Sequence, residues 1–438
     1  MSCATDLLVI GGGMAGLTAA ARAARSGLHV TVVERAPALG GSTLYAGFLW
    51  TAPSAAAMAE LNPDGDPELA AAVVAGFADA VAFVRELGVP CGDAVPILRH
   101  GQGHALDTAR YVEACRRIVL DNGTVLTGAD TTTLTVSPGG AVTGAEIVLP
   151  DGTPLTVRAG ATLLATGGFQ ADPELRARLV HPRARDIALR SNPWSSGAGL
   201  RMATGVGAVV SALRAGFYGH LVPAGVRLDP DRFVDLALYY SEHALLFDLA
   251  GARFVDETVG DHLTTMALLD RPEARGLLVT DARGHREWIT TSYVEGGPAT
   301  DKFALARRAG ARCVVADDPD DFRAIPPEWG YDGDRIAAEL TGQARGARPS
   351  PTRRYDPRPL DEPPYYVVEV APAITFPFTG IRVDTRGRVL GSGDAPIPRL
   401  YAAGSDIGGL YAGGYAGGLA AAAVLALAAA DDVVATQT

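Results

Sequence analysis

Cysteine is scarce and scattered. Cys3, Cys91, Cys115 and Cys313 are spread over 438 positions with no CxxC pair. That spacing signals neither a disulfide framework nor a zinc site, so no metal is expected, and it suits a reducing compartment. No CxxCH motif and no iron–sulfur cysteine run is present, which excludes a haem or cluster ligated by those patterns. Basic residues are in deficit as well: 38 Lys+Arg against 49 Asp+Glu give a formal net charge of −11. Such a surface repels phosphate backbones and anionic lipid, and nucleic acid is not an expected partner. Long apolar runs are also lacking. The longest late one, Leu419 to Ala430, is mostly alanine and stops at Asp431 and Asp432. It falls short of the roughly 20 residues that span a bilayer, so it reads as a buried helix and no membrane insertion is expected. Met1 leads directly into a strand pattern, Leu7 to Ile10, without a basic-then-apolar leader, and the expected location is the cytoplasm.

What is present starts at the N-terminus. A chain of this length favours two domains. Asp6 to Glu34 reads as strand (DLLVI), glycine turn (GGGMAG), alanine-rich helix and strand (LHVTVVE), one βαβ unit of the expected span. Gly11, Gly13 and Gly16 fill the GxGxxG positions, where missing side chains allow a tight turn, approach of a pyrophosphate to backbone N–H groups, and close packing of helix on strand. Met14 and Ala15 sit between them at the helix N-terminus, which faces the phosphate charge. Glu34 ends the second strand, where a carboxylate accepts from ribose hydroxyls, and Arg35 follows it. The alternative is an ordinary βα turn with a solvated carboxylate. NAD and FAD share this cradle.

Gly40-Gly41-Ser42-Thr43, with Gly47 beyond, resembles the second phosphate and ribityl loop of the fumarate reductase and succinate dehydrogenase flavoprotein superfamily. In that superfamily the words of ATLLATGGF, here Thr166, Gly167 and Gly168, close the adenine side of an FAD site. SSGAGLRMATGVGA resembles its glycine turn and helix beside the flavin, with Ala198 where members commonly carry Asp. PRLYAAGSDIGGLYAGGYAGGLAAAAVLALAAA resembles its C-terminal flavin motif: Gly404, Ser405 and Asp406, paired glycines, then a helix starting near Gly418, Leu419 and Ala420. Glycines there would let backbone lie against a flat ring, and the helix N-terminus would face the pyrimidine edge. Ser405 stands where many members have Glu, and Asp406 is the candidate substitute. No histidine lies near Gly40 to Gly47, so the FAD is expected to be non-covalent.

The resemblance implies an α/β chain: a Rossmann-like FAD-binding domain assembled from residues 1–214 and 375–438, with an inserted α+β capping domain at 215–374. Strand-like words (HALLFDLAG, RGLLVTDA, RCVVADD) and a Pro- and Arg-rich loop at 347–364 fill the insert. The branches it most resembles are the tricarballylate dehydrogenase-like and 3-ketosteroid dehydrogenase-like ones.

Chemistry at a carbon–carbon bond next to a carbonyl needs hydride transfer at flavin N5, a proton-transfer group, and donors to the carbonyl oxygen. GARFVDETVGDH resembles the cap motif of fumarate reductases. It places Asp261 at the position of their proton donor, four residues past Glu257, with His262 as second candidate. The alternative is a solvated loop carboxylate. GFYGHLVP places His220 where fumarate reductases have a substrate-binding histidine. Tyr415 sits where they have a dicarboxylate-clamping arginine and where ketosteroid dehydrogenases have a carbonyl-holding tyrosine. Losing that charge-assisted clamp argues against fumarate or succinate. Trp50, Tyr366 and Tyr411 are candidate pocket walls, with core packing the alternative for the two tyrosines. The expected function is an FAD-dependent dehydrogenase or reductase of an enone- or ketosteroid-like small molecule, with an unidentified external electron partner. One alternative is oxidation of a small polycarboxylic acid held by Arg201, Arg253 or other cap arginines. The other is a flavin-binding protein without turnover.

Overall fold

The computed structural model describes residues 1–99, 101–292 and 299–437. The elements that carry the site are, in chain order, β1 (Ser2–Ile10), α1 (Met14–Arg25), β2 (Val30–Glu34), β3 (Gly123–Thr127), β4 (Pro154–Leu164), β5 (Phe217–Pro223), β6 (Leu245–Phe247), α2 (Asp261–Leu269), β7 (Gly276–Thr280), β8 (Cys313–Ala316), β9 (Tyr365–Pro377), β10 (Pro396–Ala402) and α3 (Gly418–Gln437). The chain divides into two compact units: Met1–Pro182 with Ser191–Phe217 and Phe376 onward, and Arg183–Arg190 with Tyr218–Thr375.

In the first unit the order β10-β4-β1-β2-β3 forms the parallel heart of a larger sheet, extended beyond β10 by Arg388–Leu390. Leu7 pairs with Val30 on one side and Ala161 on the other, and Leu400 pairs with Thr162. β4 is therefore flanked by strands from opposite ends of the chain. The apolar run Leu7–Ile10 is buried throughout, as a strand covered on both faces requires. α1 packs against α3, and the alanines of both helices belong to one core cluster with Leu7, Val9, Val30 and Val32.

α3 runs further than the sequence suggested. Asp431 and Asp432 do not stop it, because each has a partner: Arg22 at 2.6 Å for Asp431, and Arg386 at 3.0 Å with the Tyr401 hydroxyl at 2.9 Å for Asp432. At 20 residues α3 is long and apolar enough, by length and composition, to cross a bilayer. Here its alanine faces are spent on the protein core.

The second unit is built around β9, which pairs antiparallel with β7 (Gly276 to Val370) and β8 (Cys313 to Val368). β6 extends the sheet beyond β7. Side chains alternate across β9: Tyr365 and Val367 join a cluster with Phe247 and Leu277, whereas Val368 and Val370 join another with Leu221 and Leu278. Residues 183–190, read from sequence as part of the first segment, belong here. Ala188 and Leu189 pair in parallel with Ala373 and Ile374 of β9, a long-range pairing that no local pattern announces.

Candidate active site

The first unit holds a nucleotide cradle. Gly11 turns out of β1 at φ +113°, and a Cβ there would lie 2.1 Å from the Ala165 carbonyl oxygen; at Gly16 it would lie 1.9 Å from the oxygen of Gly11. Only glycine permits both contacts. Gly13 caps α1 without a side-chain bond, no acidic residue occupies the first turn, and its nearest neighbours are 3.7 Å from a would-be Cβ. The helix N-terminus thus gets no cap from its own N-cap residue and carries the partial positive charge that is the ordinary seat of a phosphate. Met14 N–H is taken by Thr43 Oγ1 at 2.8 Å, and Gly40 N donates to Gly12 O at 2.8 Å, so the second glycine loop is tied to the first. Ser42 Oγ lies 3.0 Å from Ser191 Oγ, and Gly47 O accepts from Leu106 N at 2.9 Å.

Glu34 is buried, and its two oxygens accept from Gly12 N and Ala36 N, each at 2.7 Å. These bonds orient the carboxylate and leave it further lone pairs for hydroxyl donors. Arg35 is engaged by Asp130 at 2.7 Å and donates to Ser196 Oγ at 2.9 Å. Asp406 is spent inside the protein: it accepts from Thr166 N, from Thr166 Oγ1 at 2.9 Å and from Gly168 N at 2.9 Å. Burial holds its carboxyl above the ordinary range, against the pull of these donors. The side chain thereby locks the turn after β4, with Gly167, to the turn after β10. Ser405, half-buried, lines a pocket with Gly404, Gly418, Ala421, Tyr411 and Phe376. Ala15 closes against Gly404, whose would-be Cβ lies 3.0 Å from that of Ala15.

Two of the late glycines make room for another segment of the protein. A Cβ on Gly414 would lie 1.9 Å from Leu61 O, and one on Gly417 1.7 Å from Trp50 O, so backbone of another segment occupies that space. This draws Tyr415 into an aromatic group. Its ring meets Trp50 at 5.4 Å, Tyr411 at 5.4 Å and Phe376 at 5.9 Å between centroids. The Tyr415 hydroxyl accepts the Gly418 N–H, at the start of α3, at 2.8 Å. Accepting that bond polarises the hydroxyl and makes it a better donor. Leu419 is half-buried beside it and Ala420 buried. Tyr411 donates to the carbonyls of Ala416 and Gly417, and burial pushes its phenol above the usual range.

A glycine-led helix N-terminus, a buried oriented carboxylate one strand away, and a second glycine loop bonded to the first form a donor and acceptor set that fits the pyrophosphate and ribose of FAD. Gly418 and Leu419 at the start of α3 would serve the flavin end.

The second unit gathers the acid–base residues. Gly260, at φ +115°, ends one turn so that Asp261 opens α2. Arg253 and Glu257, from the same motif, form a fully buried pair with contacts of 2.9 and 2.6 Å, and Glu257 also accepts from Leu246 N. That pair pins the loop on which Asp261 is carried. Asp261 Oδ2 is hydrogen-bonded to His220 Nδ1 on β5, and Oδ1 accepts from Leu221 N and Ser241 Oγ, each at 3.2 Å. His220 is buried, which together with the charge of Arg190 lowers its imidazole to about 4 although Asp261 pulls the other way. His262 follows on α2, buried, with its ring 6.4 Å from that of Tyr218.

The fold brings Asp261 and His220, singled out from separate motifs, into contact, with His262 next along α2; Ser241, Tyr239, Arg190 and Lys302, from three other segments that carry no motif, join them. Tyr366, a candidate pocket wall, stacks on His285 at 4.0 Å and meets Phe303 edge-on at 5.1 Å, because alternation along β9 turns it toward those rings. Arg253 is committed to Glu257, and Arg201 lies at the surface 3.4 Å from Asp172.

A family model described as an FAD binding domain matches residues 6–420. The chain is similar to the NADH:fumarate oxidoreductase of Klebsiella pneumoniae (strain 342), 23% identical over 96% of this chain and 46% of that protein, so it spans about half of that relative's length. It is also similar to the urocanate reductase of Eggerthella lenta, 25% identical over 92% of this chain and 70% of that protein. Among solved structures it is similar in fold to the 3-ketosteroid delta1-dehydrogenase of Sterolibacterium denitrificans. The TM-score is 0.81 at 16% identity, covering 99% of this chain and 100% of that one.

Proposed function

The chain belongs to the family described as an FAD binding domain, and from that premise we propose that it is a flavoprotein oxidoreductase that oxidises or reduces a carbon–carbon bond next to a carbonyl in an apolar, cyclic small molecule. FAD, held non-covalently, supplies the hydride acceptor or donor at N5. In the first unit Tyr415 is the residue suited to donate to a carbonyl oxygen; in the second, Asp261 is the residue suited to take a proton in oxidation or return it in reduction. His220, Leu221 N and Ser241 orient the Asp261 carboxylate. Electrons enter or leave through an external partner.

The observation that carries this reading is the seat of Tyr415: a hydroxyl polarised by the Gly418 N–H and ringed by Trp50, Tyr411 and Phe376, beside a pocket with no charged side chain in its lining. A neutral donor among aromatic rings suits a ketone or enone better than a dianion. The polycarboxylate alternative loses Arg253 to its buried pair with Glu257, while the names of the fumarate and urocanate relatives keep small acids in the test.

The test is anaerobic mixing of the oxidised holoprotein with saturated cyclic ketones and, separately, with small polycarboxylic acids, following loss of flavin absorbance. Bleaching by a cyclic ketone supports the reading. Bleaching by polyacids alone replaces it with the second alternative, and absence of flavin in the purified protein overturns it.

A further inference from the structure

Two buried cations of the second unit, Arg190 and Lys302, have no part in the chemistry described above. They are 7% and 6% exposed. Neutral acceptors hold both: Phe233 O at 3.0 Å, Thr375 Oγ1 at 3.3 Å and the Tyr239 hydroxyl at 2.9 Å for Arg190; the carbonyls of Val234 and Asp235 at 2.9 and 3.0 Å for Lys302. Among the described residues neither is within ion-pair distance of a carboxylate. Keeping a buried charge without a contacting counter-charge is costly, which directs attention to what its field acts on.

The two cations converge on Tyr239. Arg190 grips its hydroxyl, and Lys302 Nζ lies 5.0 Å from its ring centroid. The Tyr239 ring in turn meets His220 edge-on at 5.0 Å. The other groups facing His220 are Asp261 from α2 and Tyr218 on its own strand, at 4.9 Å, with His262 beyond Tyr218. Of all these, Asp261 alone favours an imidazolium. Burial, Arg190 and Lys302 oppose it.

We propose that Arg190 is a positioning residue for proton transfer: through Tyr239 it fixes the edge of the His220 ring, and its charge keeps that ring neutral, so that Asp261 faces a hydrogen-bond donor and not a cation. The inference rests on the role of Asp261 given above. A carboxylate locked against an imidazolium is a poor proton acceptor, whereas one bonded to a neutral imidazole keeps its basicity. In oxidation an Asp261 oxygen would take the proton from the substrate α-carbon, and bound flavin would supply the hydride acceptor; in reduction Asp261 would return the proton.

The experiment is nitrogen NMR of the His220 ring against pH in FAD-loaded wild type, R190Q, R190K and K302M. In wild type the ring stays neutral to the acid edge of the folded range. Because Arg190 disfavours the charged imidazole, its removal raises the midpoint: R190Q moves it up by about one unit or more, and the acid limb of kcat/KM moves with it. R190K, which keeps the charge, stays near wild type, and K302M shifts in the R190Q direction by less. An unmoved midpoint in R190Q, or equal shifts in R190Q and R190K, overturns the proposal. The ring titration needs no turnover, so failure of the Asp261 role, seen as full activity in D261N, is read separately.

Discussion

At the scale of single residues, Asp261 is the most exposed claim. Its carboxylate has three donors, so D261N preserves shape but cannot accept a proton. Turnover should fall by about 10²- to 10⁴-fold, while the flavin spectrum and FAD content stay as in wild type; stopped-flow reduction with the best substrate measures it, and an undiminished rate removes Asp261 from proton transfer. Tyr415→Phe separates a second role. Ring packing against Trp50 and Phe376 survives, the hydroxyl does not, and kcat/KM for ketones should drop by about 10²-fold or more with little change in melting temperature. Asp261, His220 and Tyr415 could be singled out as candidates because each sits inside a run of motif. Arg190, Ser241 and Lys302 could not, because β9 and its neighbours bring distant segments to one spot, and single polar residues in unrelated segments look alike before folding.

At the scale of elements, the loop before α2 shows how a motif can be read for the wrong chemistry. GARFVDE offered Arg253 as a possible anion clamp. The fold spends it on Glu257, with both side chains fully buried. Breaking such a pair leaves an uncompensated charge, so Arg253→Met should destabilise the second unit by about 3 to 5 kcal/mol, whereas replacing both partners by apolar residues should cost much less. Denaturant unfolding of the single and double variants decides it; equal losses would show that the pair acts only through volume. The glycine pairs near α3 carry a parallel lesson. Their presence was plain, but the space at Gly414 and Gly417 belongs to the backbone of Leu61 and Trp50, a contact invisible to any local pattern. Strands and helices, by contrast, followed their periods closely: β1, α1, β2 and β6 to β8 fall where apolar runs and glycine turns put them.

At the scale of the whole molecule, the first unit is assembled from both the early and the late segments of the chain. β4 pairs with β1 on one side and β10 on the other, α1 packs on α3, and Asp406 bonds the turn after β10 to the turn after β4. A ligand that binds only this folded arrangement stabilises all of it together, by about 2.7 kcal/mol when present at a hundredfold excess over its dissociation constant. Hydrogen exchange of the apoprotein, with and without added FAD, should therefore show protection rising in β1, the Gly40–Thr43 loop, β4, β10 and the first turn of α3 as one cooperative group. Protection confined to β1, α1 and β2 would mean that the N-terminal cradle binds a nucleotide by itself and that the C-terminal glycine motif belongs to the scaffold, not to the flavin. Joint protection would tie the two ends to one ligand and make the start of α3, where Gly418 bonds Tyr415, the place at which cofactor binding and substrate recognition meet.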